Sequence, residues 1–334
     1  MNKIVKWESP SNIALVKYWG KHGVQLPNNP SISFTLNNSK SITSVELIAK
    51  QTKKVELYFE NKLNNEFGLK IENYLKSISK KLSIINDYSF IIRSANTFPH
   101  SAGIASSASA FSALVMCLVD LDNEINNNKI SIEKASYLAR LGSGSACRSV
   151  YGGVSMWGKT QDIEFSSNEY AIPLNGDINS IFKNYHDDII IVDADKKSVS
   201  SSAGHKLMDT NPYSAEKYNQ AFVNTKLLYN ALKEGNINEF IRIVELEALS
   251  LHSMMMISKP SFILIKPQTI EIINKIREFR TDTNIPICFT LDAGPNVHIL
   301  YPDENKTEVT QFISSEMNKF RVINDCVGKG PLKL

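Results

Sequence analysis

The sequence predicts an α+β protein of two domains, on three observations. Its 334 residues are about two domains' worth of chain at ~150 residues each. The first half carries strand-like segments that double back on one another, which implies antiparallel sheet, with helical segments between them. The second half sets long helical patterns beside short β-branched runs.

In chain order, "NIALVKYW" (12–19), "SISFTL" (31–36), "SVELIAK" (44–50) and "KKVELYFE" (53–60) have the β-branched and aromatic richness of strands. The last two are expected to pair as a hairpin around "QTK", and "YSFIIRSANTF" (88–98) is a further strand. "GIASSASAFSALVMCLVDL" (103–121) turns helical, because Ala108, Phe111, Val115 and Leu118 recur at three- and four-residue steps. "SIEKASYLARL" (131–141) is a second helix, with Ser131 as its N-cap and Glu133 in its first turn, and a third starts within "GSACRSV" (144–150). After a loop-like stretch near 166–179 comes the strand "DDIIIVDAD" (187–195), so the boundary is placed near 184, giving domains 1–184 and 185–334. Helices are expected at 214–234, 237–257, 268–280 and 306–319, and a strand-turn-strand at "TLDAGPNVHILY" (290–301).

Composition excludes several functions. Apolar residues make up 43% and charged residues 21%, which permits a sizeable core and rules out wholesale disorder. The net charge is only +3, without a basic run, so neither nucleic acid nor an anionic membrane is an expected partner. Cys117, Cys147, Cys288 and Cys326 stand far apart, against zinc and against a disulfide framework, and a reducing cytoplasm is the expected location. The longest nearly uncharged apolar stretch, "AFSALVMCLV", is about half of what a membrane span needs, and no targeting segment is visible at the N-terminus.

Four stretches can carry chemistry. "PHSAGIASSASA" (99–110) places small residues between a strand and a helix, where free N–H groups attract phosphate and where Ser106 and Ser107 add hydroxyls; tight helix packing explains it equally well. "RLGSGSACRS" (140–149) repeats the design, and Arg148 offers a planar fork to a carboxylate or phosphate, or else an ordinary surface ion pair. "NIALVKYWGK" (12–21) brings Lys17, Tyr18, Trp19 and Lys21 to a strand end, as phosphate ligands or as snorkelling lysines. Asp292 lies at the mouth of a turn, as a chemical group or as a turn-stabilising Asx residue.

In combination and in this order, "NIALVKYWGK", "PHSAGIASSASA", "GSGSACRSVYGG" and "DAGPN", with weaker support from "VSSSAGHKLM" (199–208), resemble the diphosphomevalonate decarboxylase family of the GHMP kinase superfamily. The likeness runs from near Ser9 to near Tyr301. It implies an N-terminal domain like the second domain of ribosomal protein S5, which binds ATP, and a ferredoxin-like C-terminal domain carrying the catalytic Asp. It also implies ATP- and Mg²⁺-dependent conversion of 5-diphosphomevalonate to isopentenyl diphosphate, ADP, phosphate and CO₂, in a cytoplasmic homodimer. Alternatives are a sibling acting on mevalonate 5-phosphate, a mevalonate 3-kinase, or a non-catalytic ligand-binding relative.

By motif position the resemblance makes Asp292 the base, Lys21 the cation beside it and the transferring phosphate, and Arg148 the clamp on the substrate carboxylate. Tyr18, Trp19, Gly20, Ser143, Gly144, Ser145, Ala146, Cys147 and Ser202 would complete the substrate site. Gly103, Ala105, Ser106 and Ser107 would cradle the ATP phosphates, with Ser107 as a Mg²⁺ ligand. Two positions depart from the family pattern: Ser202 stands where relatives have Thr or Arg, and "PHSAG" replaces PTAAG. A basic residue that would hold the terminal phosphate is left open among Lys62, Lys70 and Lys76. The six histidines show no metal-ligand spacing.

Overall fold

The computed structural model describes residues 3–99, 106–193 and 201–334. The first half folds around an eight-stranded sheet. Its strands are β1 (Lys3–Ala14), β4 (Ser31–Ala49), β5 (Val55–Phe59), β6 (Lys62–Leu63), β7 (Tyr88–Asn96), β8 (Val154–Trp157), β9 (Ala171–Pro173) and, from the far end of the chain, β14 (Leu332–Lys333). A separate short hairpin, β2 (Lys21–His22) with β3 (Leu26–Pro27), follows β1.

The expected hairpin around "QTK" does not form. "SISFTL" and "SVELIAK" belong to one 19-residue strand, β4, and β5 pairs in parallel with β7, which occupies the slot between them. The alternation of apolar residues explains this. Val45 and Leu47 of β4, Phe90 and Ile92 of β7, and Val55 and Leu57 of β5 all enter one core, and β7, whose pair is almost fully buried, takes the central place.

Helices α1 (Asn65–Ile78), α2 (Ile84–Asp87), α3 (Ser106–Asn126) and α4 (Ile132–Gly142) cover that core. Ser131 caps α4 as expected, its side chain accepting the N–H of Lys134. The third expected helix is a short 3-10 helix, Gly144–Val150.

The second half is built on the antiparallel sheet β11 (Cys288–Leu291), β12 (Val297–Tyr301), β10 (His186–Ile191) and β13 (Arg321–Cys326), in that spatial order. Its helices are α5 (Ser201–Leu207), α6 (Ser214–Glu234), α7 (Ile237–Met256), α8 (Pro267–Thr283) and α9 (Lys306–Glu316). A shared core joins the halves: Ile13, Ile32 and Phe34 of the first sheet pack with Ile189, Leu228 and Phe240 of the second half. A carboxylate reinforces this seam. Asp325 of β13 accepts the backbone N–H groups of Asn37, Asn38 and Ser39 in β4 at 2.7–2.8 Å. Beyond it, β14 pairs with β1, so a division of the chain at residue 184 leaves Leu332 and Lys333 on the first sheet. No helix among the described residues is long and apolar enough to cross a membrane, and all four cysteines are free.

Candidate functional site

At Ala14 the chain leaves β1, and residues 15–20 run along the cleft between the two halves. This carries Lys17 into the interior, 1% exposed, where its ammonium donates to the Ala14 carbonyl at 2.6 Å and lies 3.6 Å from Asp292 Oδ1. Its backbone N–H donates to Glu247 Oε2 at 3.0 Å, and Glu247, fully buried on α7, also receives Lys217 Nζ and Asn224 Nδ2. Burial pushes the Lys17 ammonium below the usual lysine range, while the Asp292 and Glu247 carboxylates pull it back up. The position beside Asp292 that the sequence assigns to Lys21 is held by Lys17. Lys21 sits in the β2 hairpin, donates to Gln25 Oε1 at 2.9 Å and lines the same cleft farther along.

Asp292 occupies the turn between β11 and β12, and the turn does not depend on its carboxylate. The backbone carbonyl of Asp292 accepts the Gly294 N–H at 2.7 Å and His252 Nε2 at 3.0 Å, and Asn296 Oδ1 ties the turn to β10 through the N–H groups of Val192 and Asp193. The carboxylate is left facing Lys17 and the cleft.

Arg148 comes from the 3-10 turn after α4. Side chains at i and i+3 eclipse in such a turn, so Ser145 and Arg148 share the cleft face, whereas Ala146 and Cys147 fall into the hydrophobic core. Neither of these two lines the cavity, as the sequence had expected of them. Arg148 is 2% exposed, Nη1 donates to Ser31 Oγ, and Nε has no partner. Among the described residues no carboxylate pairs with it, and burial pulls its pKa down. A buried guanidinium with an unspent donor is half of an ion pair. Tyr18 Oη and Trp19 Nε1 are likewise buried without partners. Gly144 makes room for Tyr18 and Trp157: a Cβ there would stand 2.7 Å from Tyr18 Oη and 2.9 Å from the Trp157 ring.

These groups enclose a cavity of about 200 Å³ lined by Tyr18, Trp19, Lys21, Ser143, Gly144, Ser145, Arg148, Ser202 and Asp292 among the expected residues. Gly20 does not line it; its N–H donates to His205 Nδ1 at 2.9 Å, and its φ of +93° together with the nearby Tyr218 hydroxyl excludes a side chain. Lys17, Asn12, Lys70 and His205 line the cavity without having been assigned to it by motif. Of the three candidate lysines, Lys70 alone lines it, while Lys62 and Lys76 are exposed elsewhere.

A second cavity, about 270 Å³ and mostly apolar, opens alongside, with Leu57, Phe59, Phe67, Ile71, Ile92 and Phe111 on its walls. Lys70 and Ser107 line both, and Ser106 lines only the second. Gly103 and Ala105 lie outside the described residues.

Comparison with known proteins gives one consistent answer. Residues 9–171 match the family described as diphosphomevalonate decarboxylase-like N-terminal domain, and residues 189–331 match mevalonate 5-diphosphate decarboxylase C-terminal domain. A diphosphomevalonate decarboxylase from Debaryomyces hansenii is 30% identical, covering 93% of this chain and 82% of that relative. The crystal structure of mevalonate diphosphate decarboxylase from Staphylococcus aureus aligns with a TM-score of 0.88 at 28% identity, over 100% of this chain and 98% of that one. A structure of MDDEF in complex with MVAPP, AMPPCP and magnesium aligns at 0.86, also 28% identical, over 100% and 99% of the two chains.

Proposed function

Because this chain belongs to the diphosphomevalonate decarboxylase family, we propose that the cleft binds 5-diphosphomevalonate and divides its chemistry among Asp292, Lys17 and Arg148. The chain is an ATP-dependent decarboxylase of the mevalonate pathway, and its products are isopentenyl diphosphate, ADP, phosphate and CO₂. The chemistry dictates the residue types. A 3-hydroxy acid has no carbonyl at C3 to accept the electrons released with CO₂, so the tertiary hydroxyl must become a leaving group. ATP with Mg²⁺ supplies the phosphoryl group for that conversion.

Asp292 orients the 3-hydroxyl and takes its proton. Lys17, at 3.6 Å, pairs with that carboxylate and balances negative charge arriving beside it. Arg148, which lines the cavity, receives the substrate carboxylate. Lys21 and Lys70 line the same cavity, close enough to feel each other, and serve the phosphates. The apolar second cavity is the place for the base of the nucleotide, since Lys70 and Ser107 stand where its phosphates would pass from one cavity to the other. The Ser107 hydroxyl is a hard oxygen donor of the kind Mg²⁺ takes beside phosphates and water, and no cluster of three acidic, His or Cys ligands exists among the described residues to favour another metal.

The observation that carries this reading is the convergence of Asp292 with its lysine and of the unpartnered Arg148 on one cavity. It is tested by offering the purified protein Mg²⁺ATP with mevalonate, its 5-phosphate and its 5-diphosphate while ADP, phosphate and CO₂ are measured. The diphosphate is expected to have the highest kcat/KM, with CO₂ and ADP formed in equal amounts. Faster turnover of the monophosphate, or ADP without CO₂, overturns the assignment.

A further inference from the structure

We propose that His205 is a substrate contact, its Nε2–H donating a hydrogen bond to an oxygen of the substrate's phosphate group. The proposal rests on the reading of the cavity as the diphosphomevalonate site.

His205 lies on α5, is 6% exposed and lines the cavity. Its ring lies against the aromatics of the first motif, with centroids 4.3 Å from Tyr18 and 4.8 Å from Trp19. Nδ1 accepts the backbone N–H of Gly20 at 2.9 Å, which fixes the tautomer: a nitrogen that accepts cannot carry the proton, so the hydrogen resides on Nε2. Nδ1 is thus occupied, and no described residue receives a hydrogen bond from Nε2. What remains is a single N–H donor on the cavity wall.

Its neighbours indicate what it meets. Burial, and then the Lys21 ammonium, push the imidazole down to about 3, so the ring stays uncharged at neutral pH. Lys21 in turn feels Lys70, which brings two cations and this neutral donor to the cavity that Arg148 and Asp292 also line. Such a set of donors matches a substrate that carries a diphosphate as well as a carboxylate and a tertiary hydroxyl. A neutral donor adds a hydrogen bond to a phosphate oxygen without a third positive charge beside the two lysines.

Three variants separate this role from a bracing one. His205→Asn places an oxygen near the site of Nδ1 and keeps an acceptor for Gly20. His205→Gln reaches the site of Nε2 with an N–H donor. His205→Met keeps the bulk and supplies no donor. We expect His205→Met and His205→Asn each to raise KM for diphosphomevalonate about 10-fold, the size of one lost charge-assisted hydrogen bond. For both variants, kcat, KM for ATP and affinity for unphosphorylated mevalonate should be nearly unchanged, and His205→Gln should recover much of the loss. Nitrogen-15 NMR of the free protein should show the proton on Nε2.

Rescue by His205→Asn and not by His205→Gln would mean that His205 only braces Gly20, and an unchanged KM in His205→Met would mean that it touches no substrate. An equal loss of affinity for mevalonate would remove the phosphate as its partner. If wild-type protein fails to turn over diphosphomevalonate, the decarboxylase reading fails by itself. Calorimetric binding of inorganic diphosphate to the same variants then decides the contact: weaker binding to His205→Met and His205→Asn than to His205→Gln upholds it, and equal binding to all three overturns it.

Discussion

Asp292→Asn is expected to give a folded protein that binds ATP and barely turns over, with kcat reduced ~10²–10⁴-fold by loss of the base. The amide matches the carboxylate in shape but cannot accept the hydroxyl proton. Because the turn is held by the Asp292 carbonyl, through Gly294 and His252, and by Asn296, the substitution leaves the local hydrogen bonds intact. It also strips Lys17 of the strongest influence keeping a fully buried ammonium charged. If Asp292 merely braced its turn, the variant would instead melt earlier while the folded fraction kept its kcat. Melting temperature and kcat measured on one preparation separate these outcomes. Retention of more than about a tenth of the wild-type kcat, far short of the ~10²-fold loss of a missing base, would exclude Asp292 from that role.

The second large effect is on stability. Lys217→Met should cost about 3–5 kcal/mol, because it removes the counter-ion of a carboxylate that has no access to water. Glu247 is 0% exposed and receives two hydrogen bonds from Lys217 Nζ, at 2.8 and 2.7 Å. The double variant Lys217→Met, Glu247→Gln should recover a substantial part of the loss, since the amide is uncharged and its oxygen still accepts the Lys17 N–H. Urea titration of the three proteins measures both effects. A loss below about 1 kcal/mol in the single variant, the range of an exposed ion pair, would show that the pair is not desolvated as its burial requires.

Much of the fold was legible because it was written in local signals. The periodicity of α3, the Ser131 cap of α4 and the extents of α6 and α7 all follow from residues within one or two turns of each other. Pairing between strands was not, because the partner of β5 is chosen by a strand about 30 residues away in the chain and by a common core. Helix α1 went unread although Phe67, Ile71, Tyr74 and Ile78 keep its apolar face, since lysines, glutamates and asparagines interleave with them along the whole segment and hide the stripe. With α1 went Lys70, which of the three candidate lysines is the one that lines the cavities.

In the site, motif order placed Asp292 and Arg148 on one cleft, but which of two lysines meets Asp292 depends on where β1 ends. The run "NIALVKYW" reads as strand through residue 19, and the break at Ala14 that turns Lys17 inward is set by tertiary contacts such as Glu247 on its N–H. His205 had no signal at all. Its meaning comes from Gly20 and two aromatic rings some 185 residues distant in sequence.

Asp325 is treated by the first sheet as a bound anion would be: three consecutive N–H groups of Asn37, Asn38 and Ser39 converge on its two oxygens. Because that anion is covalently part of the other half, the halves cannot loosen separately; freeing one would oblige a carboxylate, three amides and the shared apolar faces of Phe34 and Phe240 to be hydrated together. Cooperativity is therefore lodged in the seam, and calorimetry should record one transition with equal calorimetric and van't Hoff enthalpies rather than two successive ones. The cleft that brings residues 17, 148 and 292 together thus has a melting point of the whole molecule and none of its own.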